Sequence, residues 1–256
     1  MFPKLFVTDL DGTALGGGYK PYARFPDHFS EFLDYLHNNG CQWAINTTWD
    51  VNGQWDLVEL SSVKSKPVFF MAEFGLRLAR YTPTGAELVE CYVEKMEKQL
   101  RKVQEKAMYP LFNDICSKFK PELMHFYGHL FSFDVVQEQK EKFNNYLAEN
   151  YSNIEELNVN AKNGSVGVYP KFMHKGLALA EAIEILSINP KNVMIAGDET
   201  ADIDMMQPDL AHMAICPENA AEKVKEHVCA MNGVVGIGHS SHGIIDAFEK
   251  LVGKCD

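Results

Sequence analysis

Apolar positions along the chain fall into short continuous runs separated by stretches of helical period. Residues 5–8 form a short apolar run of the kind a buried strand carries. Phe29, Phe32, Leu33 and Leu36 follow at helical spacing, and Asn38-Asn39-Gly40 stops that helix. Residues 41–45 and 68–71 predict a second and a third strand, with Thr48 or Asp50 placed to cap the helix between them. Strand, helix, strand, helix, strand implies a parallel sheet with crossover helices.

The middle of the chain has a different rhythm. Residues 87–119 predict one long charged helix, with Val93, Met96, Leu100 and Val103 marking its apolar face. Runs at 123–127 and 130–136 flank Gly128-His129 and predict a hairpin. A helix with Phe143, Tyr146 and Leu147 on one face comes next, then strand-like runs at 156–160 and 165–169. From Met173 the alternation of helix and strand returns: a helix through Leu177, Ala180, Ile183 and Leu186, a strand at 192–196, another at 211–216, and helices at 218–227 and 244–251. The expected fold class is α/β, a parallel-sheet core over residues 1–80 and 170–256, interrupted once by an α+β cap over 81–169.

Composition narrows the function. At 256 residues and 46% hydrophobic, the chain can bury one large core or two modest ones. A net charge of -11, from 24 basic and 35 acidic residues, argues against nucleic acid or an anionic membrane as partner. It leaves room for an anionic small molecule, because a bound cation reverses the local field. Cys41, Cys91, Cys116, Cys216, Cys229 and Cys255 are scattered, with no CxxC pair, and read as reduced, mostly buried thiols of a cytoplasmic protein. Asp9 and Asp11 interrupt the apolar start too early for a signal peptide.

Four groups of polar residues sit at strand ends or helix starts of the α/β part: Asp9 and Asp11, Thr47 and Thr48, Lys175, and Asp198 and Asp202. Open parallel sheets bind ligands at the carboxyl ends of their strands. Four carboxylates crowded there would repel, and a hard divalent cation such as Mg2+ resolves that. The Thr47 hydroxyl and the Lys175 cation suit an anion, so phosphate is the ligand that meets both. Asp9 would attack phosphorus, and Asp11, two residues on, would protonate the leaving oxygen and then activate water. Each group alone has a plainer reading: a loop or calcium turn, a helix cap, a solvated lysine, first-turn acids. The argument rests on their order. Gly16-Gly17-Gly18 lacks the spacing of a dinucleotide fingerprint. Trp43, Trp49 and Trp55 read as packing, with Trp49 a candidate to line the cleft.

The series DLDGT, INTT, HKGLALAEAI and GDETADIDMM resembles the haloacid dehalogenase (HAD) superfamily, and AICPENAAEKVKEH is similar to the segment that follows in its Cof-type, class IIB branch. The resemblance spans nearly the whole chain. It implies a Rossmann-like core with a C2-type cap and a Mg2+-dependent phosphatase acting through an aspartyl-phosphate. In that reading Asp9 is the nucleophile and Asp11 the acid/base, Thr47, Thr48 and Lys175 bind phosphate, and Asp9, the Asp11 carbonyl, Asp198 and Asp202 serve the metal. The implied substrate is a small phosphorylated metabolite, a sugar phosphate first among them; by polarity and turn position, Lys162, Asn163, Ser165, His125 and Tyr127 are candidate cap contacts. A phosphomutase and a non-catalytic phosphate or Mg2+ sensor are the competing readings. Two departures stand out. Thr47-Thr48-Trp49 occupies the place of Thr-Gly-Arg, and Ala201-Asp202 that of Asn-Asp.

Overall fold

Residues LFVT form the first strand, β1 (Leu5–Thr8), and all four are buried, as the unbroken apolar run requires. The computed structural model describes residues 2–16 and 24–253. Gly17 and Gly18 of the glycine-rich stretch, and Cys255, lie outside them. After β1 come α1 (Asp27–Asn38), β2 (Gln42–Asn46), α2 (Val51–Leu60), β3 (Phe70–Ala72), β4 (Arg77–Thr82) and β5 (Gly85–Leu88). Then follow α3 (Glu90–Val103), α4 (Tyr109–Lys118), β6 (Pro121–Phe126), β7 (Phe131–Val135), α5 (Lys140–Tyr151), β8 (Leu157–Lys162) and β9 (Ser165–Pro170). The chain ends with α6 (Gly176–Leu186), β10 (Val193–Ala196), β11 (Met213–Cys216), α7 (Glu222–Ala230), β12 (Val234–Val235) and α8 (Ser240–Gly253).

Two compact units result, Met1–Val93 with His174–Asp256, and Glu94–Met173. The first holds an eight-stranded sheet of order β12-β11-β10-β1-β2-β3-β4-β5. Its strands are parallel from β12 through β3, and β4 and β5 add an antiparallel hairpin. β1 lies between β10 and β2, paired Val7 to Ile195 and Val7 to Ala44, so the carboxyl ends of these three strands are neighbours. This is also where the strand order reverses, the place at which such sheets bind ligands. Phe29, Phe32, Leu33 and Leu36 of α1 are buried as their period demands. They join Phe6, Trp43 and Phe248 in one apolar core. The second unit is an antiparallel sheet of order β6-β7-β9-β8 with helices. Phe131, Phe133 and Val135 of β7 and Val166 and Val168 of β9 are buried at alternate positions.

Two stretches differ in part from the pattern reading. The long helix starts only at Glu90, after a strand, β5, and runs to Lys118 as α3 and α4 joined through a π-helical turn at Gln104–Met108. Pro110 is the reason: it has no N–H for the preceding turn, and the added residue in the turn absorbs the mismatch. Residues 81–88 pair within the large sheet, as the end of β4 and β5. Of the two cap candidates, Asp50 caps α2, with Oδ1 accepting from the Gly53 N–H at 2.9 Å. The five described cysteines are unpaired, and burial is less general than expected: Cys41 and Cys216 are buried, Cys91 and Cys229 exposed. No described helix is long and apolar enough to cross a membrane.

Candidate active site

The site grows from the ends of β1 and β10. Asp9 follows β1 directly; its N–H donates to the Ala196 carbonyl at 3.0 Å, continuing the ladder, and its side chain is buried. Asp198 stands two residues beyond β10, also buried, and its Oδ1 accepts from the Thr13 hydroxyl at 2.6 Å. Asp202 lies in the 3₁₀ turn Thr200–Met205. Its side chain folds back so that Oδ2 accepts from the N–H groups of Asp198 (2.8 Å) and Glu199 (2.9 Å). Lys175 precedes α6, 3% exposed. Its Nζ donates to Asp9 Oδ1 and to Asp202 Oδ1, each at 2.6 Å. Its carbonyl is held by Asn46 Nδ2 at 2.9 Å, from the end of β2.

Glycine makes two of these approaches possible. A Cβ on Gly176 would lie 2.5 Å from the Asp204 carbonyl, so only glycine lets the start of α6 reach the turn that carries Asp202. Gly12 has φ +81°, and a Cβ there would lie 2.2 Å from Asp198 Oδ2. The turn after β1 therefore closes directly over the Asp198 carboxylate.

Asp9, Asp198 and Asp202 each bring a carboxylate oxygen within 4.8 Å of the others, all three residues buried. Among the described residues, the ammonium of Lys175 stands against them. Burial pushes the Asp9 carboxyl up to about 7; Lys175 opposes the rise and the Asp202 charge adds to it. Burial likewise raises Asp198 to about 6, against the pull of the Thr13 bond. For Lys175 burial disfavours the charge, but Asp9 and Asp202 outweigh it and hold the ammonium above the usual lysine range. A buried, all-oxygen carboxylate set whose negative charge is incompletely balanced suits a hard divalent cation. The bonds named above engage Oδ1 of Asp9 and of Asp198, which leaves the second oxygen of each for such an ion.

The remaining residues named from the sequence are placed differently. Thr47 is buried two positions beyond Ile45, the β2 partner of Thr8. Its N–H donates to the Met71 carbonyl at 3.1 Å, which leaves its hydroxyl as the group it can offer. Thr48 is exposed. Asp11 is exposed and outside the buried cluster, its Oδ2 accepting from Trp49 Nε1 at 2.7 Å. Lys162 and Ser165 end β8 and begin β9 in the second unit, either side of Asn163-Gly164, and His125 lies in β6, next to Tyr127. Thr13 and Asn46 bond to site residues without having been read as part of the site, and Trp49, read as a candidate to line the cleft, bonds to Asp11. For Thr13 a signal existed, since it completes the DLDGT run. For the contacts across 129 and 38 residues made by Asn46 and Trp49, none did.

Residues 79–247 match the family described as haloacid dehalogenase-like hydrolase. A chloroplastic endoribonuclease YBEY of Arabidopsis thaliana is 30% identical over 92 residues, 36% of this chain and 15% of that protein. A phosphoglycolate phosphatase of Picrophilus torridus is 39% identical over 56 residues, 22% of this chain and 23% of that protein. The chain thus spans only 15% and 23% of the curated relatives it matches. Among solved structures, the sucrose-phosphatase of Synechocystis, in complex with sucrose and phosphate, superposes with a TM-score of 0.58 at 16% identity. That match covers 98% of this chain and 99% of the other, and at this identity the likeness is one of fold. With two thirds of its residues inside the family match, and with the parallel sheet, the separate antiparallel unit and the motif order in agreement, the chain belongs to the haloacid dehalogenase-like hydrolase family, in its Cof-type branch.

Proposed function

We propose that the protein is a phosphatase that hydrolyses a small phosphorylated metabolite, of the sugar-phosphate class, with Asp9 as nucleophile and Mg2+ as cofactor. One observation carries this reading. A buried carboxylate at the end of the central strand is bonded to a buried lysine and ringed by two further carboxylates. Such a group is held for chemistry with an anion and a cation together. The family supports the reading, as do the names of two matched proteins, a phosphoglycolate phosphatase and a sucrose-phosphatase.

Asp9 attacks phosphorus in line, an aspartyl-phosphate bond forms, and the P–O bond to the alcohol breaks. Asp11 gives its proton to the departing oxygen. As a carboxylate it then takes a proton from water, whose oxygen attacks phosphorus; the aspartyl-phosphate bond breaks, and inorganic phosphate leaves. Lys175 and the hydroxyls of Thr47 and Thr48 bind the phosphoryl oxygens and offset their charge. Asp202 holds Lys175 and the turn after β10 in place. Asp9, Asp198 and Asp202, with the Asp11 main-chain carbonyl, would hold Mg2+, which when bound supplies Lewis-acid stabilisation of the phosphoryl charge.

The test is phosphate release with Mg2+ from a panel of sugar phosphates, nucleotides and p-nitrophenyl phosphate. Wild-type protein releases phosphate, and Asp9→Asn loses about a thousandfold or more. Equal turnover by the folded Asp9→Asn variant overturns the nucleophile assignment. A folded wild-type protein that binds Mg2+ and releases no phosphate from any member overturns the enzyme reading.

A further inference from the structure

Asp11 lies in the exposed turn after β1, yet its carboxylate has a fixed partner: Trp49 Nε1 donates to Oδ2 at 2.7 Å. The tryptophan is anchored independently of that turn. Its carbonyl accepts from Gln54 Nε2 (3.2 Å) and from the Glu73 N–H (3.3 Å), and its side chain packs against the apolar core. The ring also lies along the first turn of α2, with Cε3 3.6 Å from where a Cβ on Gly53 would sit. An indole is a donor only, with one N–H in a rigid plane. It therefore engages one carboxylate oxygen and sets the direction of the other.

Trp49 stands where the resembling branch carries arginine. A guanidinium would bring charge and a fork of donors. The indole brings neither, so what it supplies to Asp11 is direction. We propose that Trp49 is a positioning residue: its indole N–H holds Asp11 Oδ2 so that Oδ1 faces the oxygen that leaves phosphorus. The proposal rests on the reading of Asp11 as the general acid. Protonation by a positioned acid matters in proportion to the basicity of the leaving oxygen. Phenolate needs the proton more than p-nitrophenolate does. Loss of the Trp49 N–H therefore shows as a steeper dependence on the leaving group, not as a uniform loss.

The experiment measures kcat/KM, with Mg2+ and the full chain, for phenyl phosphate and p-nitrophenyl phosphate, which share the aryl ester and differ in the basicity of the leaving oxygen. This quantity covers the steps through P–O cleavage, so hydrolysis of the aspartyl-phosphate does not enter it. Trp49→Phe keeps the aromatic packing and removes the donor. It is expected to lower kcat/KM about tenfold for phenyl phosphate and less than about threefold for p-nitrophenyl phosphate. In the Asp11→Asn background the same substitution adds nothing, because the group it positions has gone. Equal losses on both esters, no loss on either, or an undiminished further loss in the Asp11→Asn background overturns the proposal. Failure of the underlying reading looks different: Asp11→Asn alone then retains wild-type kcat/KM on both esters, and the assignments of Asp11 and Trp49 fall together.

Discussion

Lys175 Nζ lies 2.6 Å from Asp202 Oδ1 with both side chains out of solvent, 3% and 0% exposed. The pair is the hinge of the site's electrostatics, because the same ammonium also neutralises Asp9. Removing one partner of a buried ion pair strands the other, at a cost of about 3–5 kcal/mol. Lys175→Met is therefore expected to lower stability by that amount in the presence of EDTA, read from urea unfolding. On the proposed Mg2+ site, excess Mg2+ is expected to return part of the loss, since an ion that binds only the folded chain stabilises it. Unchanged stability in EDTA would show that the three carboxylates do not need the lysine.

Thr13 contributes a single hydroxyl to Asp198, and that bond orients a candidate metal ligand. Groups that hold a ligand in this way typically account for about 10–100-fold in metal affinity. Thr13→Val, close in shape, is expected to shift the Mg2+ concentration for half-maximal thermal stabilisation upward about tenfold. An unshifted Mg2+ titration in a variant with the wild-type unfolding midpoint would remove Thr13 from the site.

The acid at the end of β1 was legible because an unbroken apolar run delivers it to the sheet edge, and the run could only be a buried strand. Asp198 was legible for the same reason. Lys175 carries no such signal: alone it reads as a solvated side chain, and only its order among the other motifs singled it out. The contact between Trp49 and Asp11 was not legible at all, since it depends on how the starts of two loops meet in space. In the fold, β4 escaped notice because its two buried residues, Leu78 and Ala79, are adjacent rather than alternate and the rest are partly or fully exposed, so neither a run nor a period of two marks it. The π-helical turn between α3 and α4 was announced by Pro110, but the helical period of the charged residues on both sides gave no sign of it. Local pattern reports burial, and wherever burial is partial it reports little.

Asp114, in the second unit, gives a pH dependence independent of the site. Its carboxylate accepts from Tyr146 (2.5 Å), from Tyr151 (2.6 Å) and from Lys118. Burial pushes its pKa up, but these three bonds prevail and lower it from 3.8 to about 2. The folded value is below the unfolded one, so the contribution is fully present above about pH 4 and is lost as pH falls towards about 2. Wild-type protein should unfold at a higher temperature than Asp114→Asn at pH 5, and the gap should narrow between pH 4 and pH 2. A gap that stays constant over that interval would assign the stabilisation to packing of the two tyrosines instead.

Gly12 and Gly40 share a backbone conformation and differ in what surrounds them, which separates strain from contact. Their φ angles are +81° and +80°. Alanine at either position bears the cost of a left-handed backbone, roughly 1–2 kcal/mol. At Gly40 nothing lies within 4 Å of the added methyl, whereas at Gly12 it would fall 2.2 Å from Asp198 Oδ2. Asp198 is tied to Thr13 and cannot withdraw without losing that bond. Gly40→Ala is therefore expected to lose stability with unchanged phosphate release, measured with p-nitrophenyl phosphate. Gly12→Ala is expected to lose stability and, in addition, to release phosphate at least about tenfold more slowly, because the methyl displaces the carboxylate proposed to bind the metal. If the two variants keep equal activity, the turn after β1 has room to move and Asp198 is not held by the close approach of Gly12.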